Sequence, residues 1–352
     1  MRTVSRGIVA TCLLLAAGCG VVEDDADETA SVLSKKLSYQ PVDITTPPPG
    51  FLDWFPLGLS DKAETYGQGI RCDDVTGVCS IDLVKRQTTG QFEVLRTDFA
   101  VNSVNGKGDA GGCIITDSVQ LIGQAAVFDA HGKLQVFPRL ADEFTSCVSK
   151  ISESGLVIVT SFNLTYDQTT YIVDKGTTTF ITPPGTIEDV NDRGQIAGIV
   201  SSDPEANRAY RFDAATQTTT ILDPVSPDPH SWGQAINRHG EVLGYSFIFN
   251  EIERIGKWNR QNEFETHFIE GIPEFPTISN RLNWNEAGVI LISQTTDGAT
   301  YLVPEPGTRL DLADLVTNGP VAEGLFGVGI NKGADILATS FVDGTSFLFL
   351  RN

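Results

Sequence analysis

Four cysteines, a scatter of aspartates and one His–Trp pair are the side chains here whose types and spacing bear on chemistry. Cys72, Cys79, Cys113 and Cys147 form an even set. In an oxidising compartment such a set reads as disulfides, and four cysteines allow three pairings. Cys72 and Cys79 flank Asp73-Asp74-Val75-Thr76-Gly77-Val78, a hairpin-turn sequence, and opposed hairpin residues stand close enough to bridge. Cys113 and Cys147 then pair with each other. Zinc coordination needs tighter clustering than this, and no histidine lies at ligand spacing from these cysteines, so no metal is expected. Cys72-Asp73-Asp74 and Ser202-Asp203-Pro204-Glu205 offer oxygen ligands without the alternating spacing of a calcium loop. Asp228-Pro229-His230-Ser231-Trp232 reads as part of a long loop, where rigid aromatics contact sugar or peptide, or as a packed connection. No Gly-x-Ser-x-Gly elbow, phosphate loop or His-Glu-x-x-His is present. No catalytic residue and no cofactor is assigned.

The elements that must position these residues come from a seven-fold internal repeat. Each copy carries a short polar turn leading into an apolar strand. The turns centre on Ser60, Asn105, Ser152, Asn191, Asn237, Asn285 and Asn331, at successive steps of 45, 47, 39, 46, 48 and 46 residues. A strand-built repeat of roughly 40–50 residues predicts a β-propeller. Asn105, Asn191, Asn237, Asn285 and Asn331 recur at one position, where their side chains satisfy their own turns rather than a ligand.

Runs such as Gln195-Ile196-Ala197-Gly198-Ile199-Val200 follow the turns and mark strands covered on both faces. The fourth residue beyond the turn is small in five copies (Gly67, Gly112, Gly198, Gly244, Ala338), which suits close backbone approach. An aromatic-rich strand closing on Asp or Asn comes next, then a third with bulky residues at Val136, Phe180, Ile221, Phe264 and Leu310. With a short strand before the turn, each copy holds four antiparallel strands. The seventh copy ends at Asn352 without its outer strand. Pro41-Val42-Asp43-Ile44-Thr45-Thr46-Pro47-Pro48 resembles the outer segment Thr179-Phe180-Ile181-Thr182-Pro183-Pro184. The expected fold is therefore all-β, a single seven-bladed propeller over residues 39–352, with residues around 41–46 pairing beside 345–350 to complete the last blade.

The N-terminus predicts an address. Arg2 and Arg6 precede an apolar run from Ile8 to Ala17, too short to span a bilayer. Leu15-Ala16-Ala17-Gly18-Cys19 resembles the bacterial lipobox, which implies acylation of Cys19 and loss of residues 1–18. Residues 20–38 are acidic, small and polar, the composition of a disordered tether. Gly20 in place of Asp points to the outer membrane. The chain carries 45 acidic and 25 basic residues, a net charge of −20. That balance disfavours nucleic acid and anionic lipid surfaces, which need clustered Lys and Arg. Membrane contact is then expected only through the lipid.

Asp189-Val190-Asn191-Asp192-Arg193-Gly194-Gln195-Ile196-Ala197-Gly198 with Arg208-Ala209-Tyr210-Arg211-Phe212-Asp213 resembles the bacterial extracellular "HAF" repeat family. The resemblance implies an exported propeller and carries no catalytic residue. The expected function is that of a monomeric, envelope-anchored, non-catalytic binding or scaffold propeller for an envelope or extracellular protein or glycan. Its recognition loops are expected at residues 141–148, 223–233 and 316–326, which vary most among the copies. The alternative is a hydrolase or lyase with its site in the central channel.

Overall fold

A computed structural model describes residues 37–352 apart from 74, 118–121, 204–205, 249–251, 271–281, 294–298, 318–323 and 341. Seven four-stranded antiparallel sheets follow one another along the chain, and the first and last close on each other as a seven-bladed β-propeller. Blade four shows the plan: Thr186–Val190 lies innermost, followed outward by Gln195–Asp203, Ala206–Asp213 and Thr218–Leu222.

The apolar second strands are explained by packing between blades. Seven buried clusters lie between the blades, one at each interface around the ring. One joins Ile158 and Ile172 of blade three to Ile196 and Tyr210 of blade four. Another joins Ile44 and Leu59 to Leu337 and Leu348 across the ring closure. A blade is thus covered on both faces, and alternation of polar and apolar residues is lost.

The recurrent small residue has a specific cause. In six blades the inner strand carries a bulge, and in five of these a small residue pairs with the residue just before it, as in Val101↔Gly112, Ile187↔Gly198, Gly233↔Gly244 and Gly327↔Ala338, while blade three places Val159 there opposite Val148. A Cβ added at Gly198 would lie 1.9 Å from the Thr186 carbonyl oxygen, and one at Gly244 as close to that of Trp232. At these positions the bulge brings the inner backbone onto its neighbour, and a small residue leaves room for it.

The ring closes by strand exchange. Tyr39–Asp43 is the outer strand of blade seven, paired antiparallel with Ser346–Arg351 from Tyr39↔Arg351 to Asp43↔Phe347. The pairing sits about two residues earlier in sequence than the segment resemblance predicts. Tyr39 is the reason: fully buried, it packs with Leu37, Leu312 and Phe349 and sets the register. The four-residue helix Leu312–Leu315, capped by the Asp311 carboxylate, covers this cluster.

Two of the expected recognition loops run into strand: most of 141–148 and the last four residues of 223–233. Glu143–Ile151 is the inner strand of blade three, and its residue Cys147 meets Cys113 of blade two. His230–Ile236 is the inner strand of blade five, so the loop ends at Pro229. His230 is buried and stacks on Phe247 with ring centroids 5.1 Å apart, and Trp232 packs edge-on to the same ring. The connection 223–229 is pinned from below: Ser246 Oγ donates to the buried Asp228 carboxylate, which also pairs with Arg254. These aromatics belong to the core. Of the third loop, residues 318–323 lie outside the described residues, as do Cys19, the 20–36 part of the tether, Asp74 and Pro204-Glu205.

Candidate functional site

Antiparallel blades give the disc two unlike faces. Connections from first to second strand and from third to fourth emerge on one face, here the turn face. Connections from second to third strand and between blades emerge on the other, the loop face.

All seven repeat turns lie around the channel mouth on the turn face, and all share one hydrogen-bond pattern. The amide of the Ser or Asn donates to the carbonyl four residues on, from Ser60 N–H to Glu64 O through Asn331 N–H to Asp335 O. The side chain closes the turn from inside. Asn191 Oδ1, for example, accepts from Arg193 N–H and Gln195 N–H at 3.0 Å each. Ser60 and Ser152 do the same through Oγ, accepting from Glu64 N–H and Leu156 N–H.

A second role, invisible in sequence, belongs to the asparagine amide. Asn105 Nδ2 donates to Ser152 O at 2.9 Å, Asn191 Nδ2 to Asn237 O at 2.9 Å, Asn285 Nδ2 to Asn331 O at 3.3 Å and Asn331 Nδ2 to Ser60 O at 2.9 Å. Each bond crosses to the next blade. Serine has no such donor, and the two serine copies are linked otherwise. Asp61 N–H donates to Gly106 O, and Ser154 N–H donates to Asp192 Oδ1. Four of the five asparagines are therefore clasps between blades as well as turn formers, whereas Asn237 Nδ2 donates to Glu241 of its own turn.

In six of the seven copies the residue after the turn's Ser or Asn brings charge to the mouth: Asp61, Glu153, Asp192 and Glu286 with Arg238 and Lys332. These acids are committed to neighbours. Asp61 accepts from Lys332 N–H at 3.1 Å, Glu153 from Gly106 N–H at 2.8 Å, and Glu286 pairs with Lys332 Nζ at 2.9 Å. Loss of solvent around its carboxylate at the mouth pushes the Glu153 pKa up, against the pull of the Gly106 N–H, and repulsion from Asp61, Asp192 and Glu286 adds to the rise. The hydrogen bond from Lys332 to Glu286 pushes the lysine's pKa up in turn. Among the described residues, no three His, Cys, Asp or Glu side chains converge in metal-ligand geometry.

The loop face is different. Large apolar side chains stand exposed in its connections: Leu52 at 72%, Val75 at 93%, Val78 at 60%, Leu164 at 76%, Tyr166 at 79% and Val342 at 64%. In the described connections of the turn face there are none. The loops that carry them are locked by their own polar residues. Asp73 accepts from Thr76 N–H and Oγ1 and from Val75 N–H, and these bonds hold its carboxyl below the usual range. Asp343 is lowered the same way by Thr345, and Asp167 by Thr165 and Asn163. The Cys72–Cys79 disulfide clips the first of these loops, and Cys113–Cys147 ties blade two to blade three. Tyr166 holds a left-handed backbone, φ +64°, which a bulky residue rarely adopts. Nothing in composition or spacing singles out these side chains. Only the face on which each loop emerges unites them.

No family model and no curated protein matches this sequence. Solved propellers match its fold. Virginiamycin B lyase from Staphylococcus aureus aligns over 89% of this chain and 99% of its own at 8% identity and a TM-score of 0.53. The acylaminoacyl peptidase of Pyrococcus horikoshii aligns over 91% of this chain and 52% of its own at 9% identity and 0.56. The propeller domain of the Trilobed protease from Pyrococcus furiosus aligns over 90% and 97% at 9% identity and 0.54. That domain has an open velcro topology, whereas Tyr39–Asp43 closes the present ring. At such identities the likeness shows the fold and carries no site across.

Proposed function

We propose that this chain is an envelope-anchored propeller that binds an envelope or extracellular macromolecule through its loop face. The observation that carries the reading is the one-sided display of rigid apolar side chains by Leu52, Val75, Leu164, Tyr166 and Val342. Large exposed apolar groups on locked loops are what a recognition surface needs, because little entropy is lost on docking. Tyr166 is the anchor. A tyrosine kept at a strained, exposed position gives up stability of about 1–2 kcal/mol that glycine there would recover.

The anchor geometry supports the same reading. Tyr39 pairs with Arg351, the end of a strand that runs towards the turn face, so the chain enters the disc from that side. An acyl group on Cys19 would then tether the turn face and leave the loop face directed away from the membrane. Engagement of the mouth carboxylates by backbone amides and Lys332 favours a stitched rim over a catalytic one.

A photo-crosslinking residue placed at Val75, Tyr166 or Val342 is expected to yield one shared adduct in the native envelope. The same residue at Lys62, Lys107 or Arg238 is expected to yield none. Tyr166→Gly is expected to weaken capture without lowering Tm. Adducts from the turn-face positions alone would sink the proposal. So would turnover of a glycan or peptide that Glu153→Gln abolishes, which would favour a channel-site hydrolase or lyase. Mass spectrometry of the mature N-terminus tests the lipid on Cys19.

A further inference from the structure

The repeat allows one inter-blade cleft to be compared with another, on the turn face and away from the surface discussed above. Arg211 in blade four and Val127 in blade two hold the same place in their third strands, opposite Thr220 and Gln135. Arg211 reaches across to blade five. Its Nη1 donates to Gly240 O at 2.8 Å, and its Nη2 donates to Asn262 Oδ1 at 2.7 Å. Gly240 ends the repeat turn of blade five, and Asn262 lies in that blade's outer turn.

Between blades two and three the same frame stands without the arginine. Gly155 ends the repeat turn of blade three, and Lys175-Gly176 forms its outer turn. Val127 is too short to reach either. A cavity of about 330 Å³ opens between them. Its floor is apolar, from Phe137, Ile151, Val157 and Val173, and its rim carries Asp109, Asp129 and Asp174 against one cation, Lys175. Asp109 accepts from Asn105 Nδ2 and Ala130 N–H, and Asp129 from His131 and Lys133 N–H, so both are held in place. Among the described residues no ion pair engages Asp174.

We propose that this cleft binds a guanidinium or alkylammonium group on a short aliphatic stem, supplied from outside where blade four supplies Arg211 from within. The apolar floor covers the methylenes, as it does for buried arginine stems. The rim carboxylates and the Gly155 carbonyl accept the N–H groups, and charge-assisted bonds of this kind are the strong ones. The source is either a small free cation or an arginine side chain of a polypeptide.

Isothermal titration separates these and tests the site. Agmatine and the peptide acetyl-Gly-Arg-Gly-amide are the cationic probes, and N-butylurea is the neutral control. The parent protein is expected to bind one cation and no butylurea. Tighter agmatine binding identifies a free cation as the natural ligand, and tighter peptide binding a side chain. Val127→Arg, which fills the cleft as Arg211 fills its own, is expected to bind none. Arg211→Val opens the second cleft and is expected to bind two. Asp174→Asn is expected to weaken affinity about tenfold, the order of one charge-assisted hydrogen bond. Absence of saturable binding by the parent, or one-to-one binding that survives Val127→Arg, overturns the proposal. If Arg211→Val fails to fold, the parent and Val127→Arg decide alone. A negative result leaves the loop-face reading untouched, because that reading uses none of these residues.

Discussion

Replacing Asn331 separates its two roles. Asn331 is 4% exposed and stands at the closure of the ring. Its Oδ1 accepts from Asp335 N–H at 2.8 Å, and its Nδ2 donates to Ser60 O of blade one at 2.9 Å. Serine keeps the first bond, as Ser60 and Ser152 show in their own turns, and loses the second. A net hydrogen bond contributes about 1 kcal/mol, so Asn331→Ser is expected to cost about that. Alanine loses the clasp as well and leaves the Asp335 N–H without a partner, while the Ser60 carbonyl keeps its bond from Ala63 N–H. With about 1 kcal/mol for the clasp and about 1–3 kcal/mol for the orphaned amide, Asn331→Ala is expected to cost about 3 kcal/mol. An unfolding entropy of about 2.1 cal/mol/K per residue over some 300 residues converts 1 kcal/mol to roughly 1.6 °C. Calorimetry should then show Tm lowered by about 1.6 °C for Ser and about 5 °C for Ala. Equal losses in the two variants, or no loss in Ala, would refute the assignment of the amide as an inter-blade clasp.

The two disulfides differ in the loops they close, with sequence separations of 7 and 34. The chain-entropy relation gives about 2.4 and about 3.8 kcal/mol, so Cys113→Ser with Cys147→Ser is expected to lower Tm more than Cys72→Ser with Cys79→Ser. Deleting residues 39–47 removes the partner of Ser346–Arg351 and exposes its edge, and size-exclusion chromatography should show association. Glu153 has a raised pKa in the folded state. For an acid that sign means its charged form opposes folding at neutral pH, and the penalty is relieved as pH falls through its raised pKa. Glu153→Gln is expected to raise Tm at neutral pH, with the gain shrinking under acid; a gain that grows in acid would contradict the cause given.

The blade count and the closure were legible because a repeat states its own period, and because the last copy visibly lacks a strand. The disulfide pairing was legible for a local reason, since Cys72 and Cys79 flank a turn. The extent of the inner strands was not. His230-Ser231-Trp232 looks like a loop beside Pro227 and Pro229, but the buried Asp228–Arg254 pair and stacking on Phe247 decide its conformation, and both lie far off in sequence. The clasp role of the asparagines was hidden similarly, because the turn already accounts for the residue type. The exposed apolar set stayed illegible because Val75, Tyr166 and Val342 are distant in sequence and share only a face.

The strand exchange also sets a timetable. Tyr39–Asp43 is among the first folded segments to be made, and its pairing partner, Ser346–Arg351, is the last. Six blades are built from neighbours in sequence and are complete as soon as their own strands exist. The seventh cannot form until Ser346–Arg351 is present, so Tyr39–Asp43 waits through the synthesis of roughly 300 residues with its edge unpaired. A chain stopped short of Ser346 has no partner for Tyr39–Asp43, and the ring thereby registers whether its seventh blade has been made.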